Sequence, residues 1–226
     1  ELNKSKSKIS KVFFTIFISL VIFSSVIILK NSIEAQIKDN SRVLLGGDFE
    51  LSTKNESLDS NFLDELKKSF FISEVIEFSS IIKTYNERNK ATRIKVIDNF
   101  YPLVGKAIVE PDDSLKKLKN KPNTILIDKT TQKNLNIKVG EIIKLQNISF
   151  EVIGIIQSLP DLGDFFLFGD QALIHKSSFQ DLKINNLGSF LSFKYKLTNR
   201  NNNKKPPSNI SKDRNIEIKY PENISK

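Results

Sequence analysis

Apolar and polar positions follow three rhythms along this chain, and the first is an unbroken apolar run. From Val12 to Leu29 about 18 residues pass without a charge, a glycine or a proline. That is close to the ~20 that carry a helix across ~30 Å of hydrocarbon. Thr15, Ser19, Ser24 and Ser25 are the only polar members, and their hydroxyls can bond back to helix carbonyls. A core helix of this length would show a polar stripe, and this run has none. A secretory signal would have a shorter apolar region and a small-x-small cleavage site, whereas the nearest candidate here, Ile33-Glu34-Ala35, has a bulky first position. The pattern therefore predicts a retained transmembrane helix over 12–30, following a tail at 1–11. Polar and apolar residues then mix at helical spacing through Val43, extending the helix outward as a stalk over 31–45.

The second and third rhythms, periods of 3.6 and 2, alternate through the remainder. Leu45-Gly46-Gly47-Asp48 stops the helix, because paired glycines permit positive φ, and Phe49-Glu50-Leu51-Ser52 alternates like a strand. Ser57 is placed to cap a helix from Leu58 to Phe70, with Phe62, Leu63, Leu66 and Phe70 on one face. Glu74–Tyr85 and Thr92–Asp98 read as strands around a polar turn at Asn86–Lys90. After a break at Tyr101–Gly105 come a short helix at Asp113–Lys119, an apolar strand at Thr124–Asp128, and a helix capped by Thr130 that ends near Asn136. Val139-Gly140 turns into a strand at Glu141–Leu145, Gln146-Asn147 makes a hairpin turn, and Ile148–Ile156 returns. Leu159–Gly169 is a loop, Ala172–Ile174 and Phe190–Leu197 are strands, and a low-complexity stretch at Asn199–Ser211 precedes a last strand at Ile216–Tyr220. The fold class is α+β, strand-rich with short helices.

Charge orients the span. Lys4, Lys6, Lys8 and Lys11 precede it against Glu1 alone, while Lys30 and Lys38 are balanced by Glu34 and Asp39 on the far side. The positive-inside rule keeps the N-terminus cytoplasmic and sends residues 31 onward across the membrane. Of the chain's 226 residues, roughly 200 remain outside tail and span, enough for one good-sized core or two small subdomains. The lack of cysteine excludes disulfides, thiolate chemistry and zinc–cysteine sites. A net charge of +9 comes with no aromatic-basic nucleic-acid motif. It reads as a Lys- and Asn-rich habit with some attraction to anionic head groups, and no nucleic-acid partner is expected. Position 1 is not Met, as in an excerpt or a processed product.

Candidate chemistry is sparse. Gly105-Lys106 is followed by Ala107 and lacks an upstream glycine, so no phosphate-binding loop exists. His175, the sole histidine, has no Gly-x-Ser-x-Gly elbow to serve and reads as a partly exposed structural residue. Asp161, Asp164 and Asp170, like Asp112-Asp113, lack the ordered spacing of a calcium loop and read as turn formers. The basic run Lys116, Lys117, Lys119 and Lys121 reads as a solvated helix end. Phe165, Phe166 and Phe168 either pack between subdomains or stand exposed for a partner, a substrate or the bilayer. No catalytic, cofactor-binding or metal-binding residue is assigned, and the chain is not expected to be an enzyme.

An N-in span, an outward helix and then Leu44-Leu45-Gly46-Gly47-Asp48-Phe49-Glu50-Leu51 resemble the start of FtsX-like (MacB-like) ABC transporter permeases. The chain is most similar to those encoded beside a lysophospholipase/thioesterase. Ile94–Asp98 running into Tyr101–Gly105, then Ile125–Asp128, Leu135–Glu141 and Phe150–Ile156 with Pro160-Asp161, continue the match in order. The resemblance implies a membrane-proximal α/β periplasmic subdomain, 46–99 and 185–226, with an inserted strand-rich subdomain at 100–184. It implies a permease subunit in the bacterial inner (plasma) membrane, with one span in this stretch and residues 31–226 periplasmic. There, ATP-driven helix movement would be coupled to handling of a hydrophobic or lipid-linked substrate, for export or mechanotransmission. No cofactor is expected in this chain, since ATP would be bound by a separate cytoplasmic ABC ATPase subunit. A second permease copy, membrane lipid and a periplasmic partner are the other expected partners. Gly46 and Gly47 are the candidate hinge between stalk and domain, or they merely end the helix. The later membrane helices and cytoplasmic coupling segment of such permeases are absent, as expected of the N-terminal part of a longer protein. The alternative is a single-span anchored extracytoplasmic sensor or adaptor, which sequence beyond Lys226 would separate from a permease.

Overall fold

Three of the four hydroxyls in the apolar run bond back to their own helix: Thr15 Oγ1 donates to the Lys11 carbonyl, Ser19 Oγ to Thr15 and Ser25 Oγ to Val21, at 2.8–2.9 Å. Free of glycine and proline, α1 runs unbroken from Leu2 to Leu45. The computed structural model describes residues 2–161, 170–182, 184, 191–200 and 216–221, and among these the side chains of all but 2–10, 37 and 38. The chain divides into two compact units, residues 1–40 and 41–224. The first is helix, and its Lys11–Gln36 stretch is long and apolar enough to cross a membrane by length and composition.

The second unit is built on β-pairing. Strand β1 (Phe49–Lys54) leads into α2 (Ser60–Ser69), whose Phe62 and Leu66 are buried. Asp59, not Ser57, caps α2, its carboxylate accepting from the Asn61 amide. Strand β2 (Phe70–Thr84) begins four residues earlier than the sequence pattern predicts, because its first turn of chain pairs with the end of a distant strand, Phe70 opposite Asn199. The rest follow in order as β3 (Asn89–Ile97), β4 (Ile108–Glu110), α3 (Ser114–Asn120), β5 (Thr124–Asp128) and α4 (Lys129–Leu135). Then come β6 (Ile142–Leu145), β7 (Ile148–Ser158), β8 (Gln171–His175), α5 (Lys176–Phe179), a 3-10 turn at Gln180–Leu182, β9 (Ser192–Asn199) and β10 (Glu217–Lys219).

The strands form one sheet in the order β10-β1-β9-β2-β3-β8-β5-β7-β4, with β6 bridging β2 and β7. That bridge closes β2-β3-β8-β5-β7-β6 into a ring. Strand β2 serves both parts: residues 70–77 pair with β9 in the open sheet, and 82–84 pair with β6 in the ring. Strands drawn from 108–175 thus join the flanking ones through parallel β3·β8 and antiparallel β2·β6 pairs.

Alternation sorts the side chains onto two buried faces. Ile94, Val96, Ile125, Ile127, Ala172 and Ile174 belong to the larger core. Their neighbours Val75, Ile97, Leu126 and Leu173 belong to a second core with Tyr101, Leu118 and Leu159. Both faces of the central strands are therefore covered, which decides the fate of every polar residue on them.

Candidate functional site

In the strands beside α1's end, several positions on the second face carry charge. Register places Glu50 of β1 opposite Lys196 of β9, and Glu77 of β2 opposite Lys95 of β3. Lys194 lies two residues from Lys196 and so on the same face. Asp161 follows the loop residue Pro160 and meets them. All six are buried, none more than 8% exposed, and the three ammonium groups match three carboxylates.

The pairing is a chain of alternating sign. Lys196 Nζ is paired with Glu50 and donates to the Leu45 carbonyl at 2.7 Å. Lys194 Nζ lies 2.9 Å from Glu77 Oε2. Lys95 Nζ lies 3.9 Å from the other Glu77 oxygen and 2.9 Å from Asp161 Oδ2. The Tyr101 hydroxyl donates to Asp161 Oδ1 at 2.6 Å, and the Lys95 ammonium sits 5.6 Å from the centre of its ring. Burial alone would raise the Asp161 pKa. Lys95, Lys196 and the hydrogen bonds from Tyr101 and Lys95 outweigh it and hold the carboxyl below its ordinary value. Burial first, then Asp161, pushes the Tyr101 hydroxyl well above its ordinary value, so it stays a neutral donor.

This cluster grips the end of α1. The helix closes in a Schellman motif: the Gly46 amide bonds Val43 O at 3.0 Å and the Gly47 amide bonds Arg42 O at 3.2 Å, with Gly46 at φ +77°. A Cβ on Gly46 would stand 2.9 Å from the Asp161 Cβ, and one on Gly47 only 2.8 Å from the Leu197 carbonyl. Lys196 brings a cation to the helix C-terminus, where the macrodipole is negative. Outside, Arg42 Nε pairs with Asp48 Oδ1 at 2.6 Å, and Asp48 Oδ2 accepts from the Asn199 amide at 2.9 Å.

Of the residues singled out from sequence, Gly46 and Gly47 are brought to the cluster. Phe165, Phe166 and Phe168 lie outside the described residues, as does Asp164. Asp161 is a buried ion-pair member rather than a plain turn former, and Asp170 pairs with Lys90 at 2.9 Å. His175 is structural but 8% exposed, more buried than its position suggests. Its Nδ1 accepts from the Ser177 amide and caps α5, and burial lowers its pKa. In the basic run, Lys119 does not sit in solvent: it donates to the carbonyls of Asn99 and Tyr101 at 2.9 and 2.5 Å. Among the described residues no group of three His, Cys, Asp or Glu is placed to hold a metal. Glu50, Glu77, Lys95, Lys194 and Lys196 escaped the sequence reading, since each occupies the polar position of an alternating strand.

An α/β domain entered by an apolar helix of membrane-crossing length is the class that fold and composition define. The chain belongs to the family of MacB-like periplasmic core domains, whose model matches residues 12–205. It is similar to the crystal structure of the periplasmic region of MacB from Actinobacillus actinomycetemcomitans. Identity there is 12% and the TM-score 0.48, over 84% of this chain and 95% of that one. It is also similar to the extracellular domain of the noncanonic ABC-type transporter YknZ from Gram-positive bacteria, at 16% identity and TM-score 0.40, over 60% and 69%. A permease-protein domain from Porphyromonas gingivalis is similar at 10% identity and TM-score 0.46, over 70% and 77%. No curated protein matches the chain.

Proposed function

We propose that this chain is the N-terminal span and periplasmic domain of a permease subunit that passes ATP-driven helix movement to an external domain. The observation that carries this reading is α1 itself. Its apolar stretch ends at Gln36, yet the same helix runs to Leu45, where a Schellman turn and Lys196 tie it to the sheet. A mere anchor needs no such attachment. ATP is bound by a separate cytoplasmic ATPase, and this chain contributes no cofactor site. The Gly46–Gly47 joint absorbs the change in angle, and the cargo is hydrophobic or lipid-linked.

A second permease copy and membrane lipid surround the span. A periplasmic partner has a surface to meet at the mouth of the strand ring. There a cleft lined by Lys83, Tyr85, Arg88, Ile142 and Lys144 leaves Tyr85 95% exposed.

The joint can be tested by fixing it covalently. Residues 1–226 include no cysteine, so in a full-length permease cleared of any other cysteines Arg42→Cys with Asp48→Cys places a single crosslinkable pair across the joint. In the full-length permease with its ATPase, a short thiol crosslinker should cut transport by at least about tenfold. A cleavable crosslinker should restore it on reduction. Undiminished transport in the crosslinked protein would sink the reading.

A further inference from the structure

Lys196 stands where the helix end, the sheet and the loop residue Asp161 converge. It holds the Leu45 carbonyl and Glu50 at once, and its side chain and that of Asp161 both flank the bare α-carbon of Gly46. A Cβ there would be 3.6 Å from Lys196 Cδ and 2.9 Å from Asp161 Cβ. A shift of the Gly46 backbone toward either side chain would therefore displace it.

We propose that the six buried charges form a register lock, holding the Gly46–Gly47 joint in one setting until helix movement re-pairs Lys196 from Glu50 to Asp161. Stability alone is a poor reason for the cluster. The same face carries Val75 and Ile97 a step along the strands, and apolar residues of similar size commonly replace a buried ion pair with no loss. What discrete ion pairs supply is register, because a partner is either met or missed.

The alternative partner is already in place. Asp161 lies close enough to Lys196 for that ammonium to favour its charged form. Glu50 Oε1 is buried without a hydrogen-bond partner among the described residues, so Glu50 is held by one oxygen only. When Lys196 moves toward Asp161, Lys95 can turn to Glu77, whose Oε1 lies 3.9 Å away. The second arrangement still keeps every ammonium beside a carboxylate but leaves Glu50 buried without a cation, so it lies higher in energy and is reached only while an outside displacement biases the joint toward it.

The inference rests on the coupling role proposed above, and the experiment separates the two. Spin labels at Gln36→Cys and Tyr85→Cys, both exposed positions, report distance distributions in the full-length permease, cleared of other cysteines and held with its ATPase in lipid. The parent should give a narrow distribution without nucleotide and a displaced one with ATP. Glu50→Leu with Lys196→Met removes the lock while leaving two cations and two carboxylates paired. It should widen the nucleotide-free distribution at least about twofold, and Lys196→Arg, which keeps the charge, should stay narrow. A distribution in the apolar pair as narrow as the parent's overturns the lock. So does an Arg variant as wide as the apolar pair, or an apolar pair whose thermal midpoint shows it to be unfolded. Widening with transport unaffected would leave the lock standing and remove the coupling role.

Discussion

Asp161 shows how one residue's surroundings translate into a measurable pH response. Its carboxyl is buried, which disfavours charge, yet Lys95 and Lys196 and the Tyr101 hydroxyl hold it below the ordinary value. A carboxyl whose folded-state pKa is depressed stabilises the fold above its unfolded value, about 4. That contribution fades as pH falls through the folded value. Below about pH 4, the thermal midpoint of the chain in detergent should drop more steeply than that of Asp161→Asn, which should be less stable than the parent at neutral pH. Parallel acid slopes would show that Asp161 does not titrate with folding. This residue and its five partners were not legible in the sequence for a definite reason. Phe193-Lys194-Tyr195-Lys196-Leu197 and Phe49-Glu50-Leu51 alternate as a half-exposed strand does. Period 2 tells which residues share a face, but not whether a loop bearing Asp161 and Tyr101 will cover the polar one.

Among elements, legibility followed locality. The β6–β7 hairpin was readable because its turn chemistry is local: Gln146 takes φ +54° between two alternating runs. The helices at 60–69, 114–120 and 129–135 fall where periodicity places them, but in the first and last an Asp two positions from the expected Ser57 or Thr130 does the capping. In α4, Asp128 rather than Thr130 accepts the Thr131 amide, at 2.7 Å. Replacing Asp128 with Ala should cost about 1 kcal/mol, Asn should retain most of it, and Thr130→Ala should stay close to the parent. Denaturant midpoints of the three variants check this, and a larger loss at Thr130 would reverse the assignment. Strand β4 was missed because its three residues carry no period of their own; pairing with β7, across a register shift at Ile108/Val109, makes them a strand. The closing of the ring by β6 was invisible for the same reason, being a contact between residues 82–84 and 143–145.

On the scale of the whole molecule, everything proposed for the domain depends on which side of the membrane it occupies. Four lysines stand before the apolar run against Glu1, whereas charges just after it balance, and under the positive-inside rule that bias predicts a cytoplasmic lysine-rich side. The basic character of the remainder does not oppose export, because long translocated segments cross largely regardless of their charge. A chain that lacks cysteine also loses nothing in an oxidising compartment. Alkaline phosphatase fused after Lys226 should accordingly be active. An ordinary green fluorescent protein at the same point should be dark, since it does not mature after export through the general pathway. Moving Lys4, Lys6, Lys8 and Lys11 to Gln while adding lysines after Lys30 should lower the phosphatase activity and brighten the fluorescent fusion together. An inactive phosphatase with a bright fluorescent fusion on the parent would place the charge cluster in the cytoplasm. The lock at Lys196 would then face the ATPase side, and the permease reading of this domain would fall with its orientation.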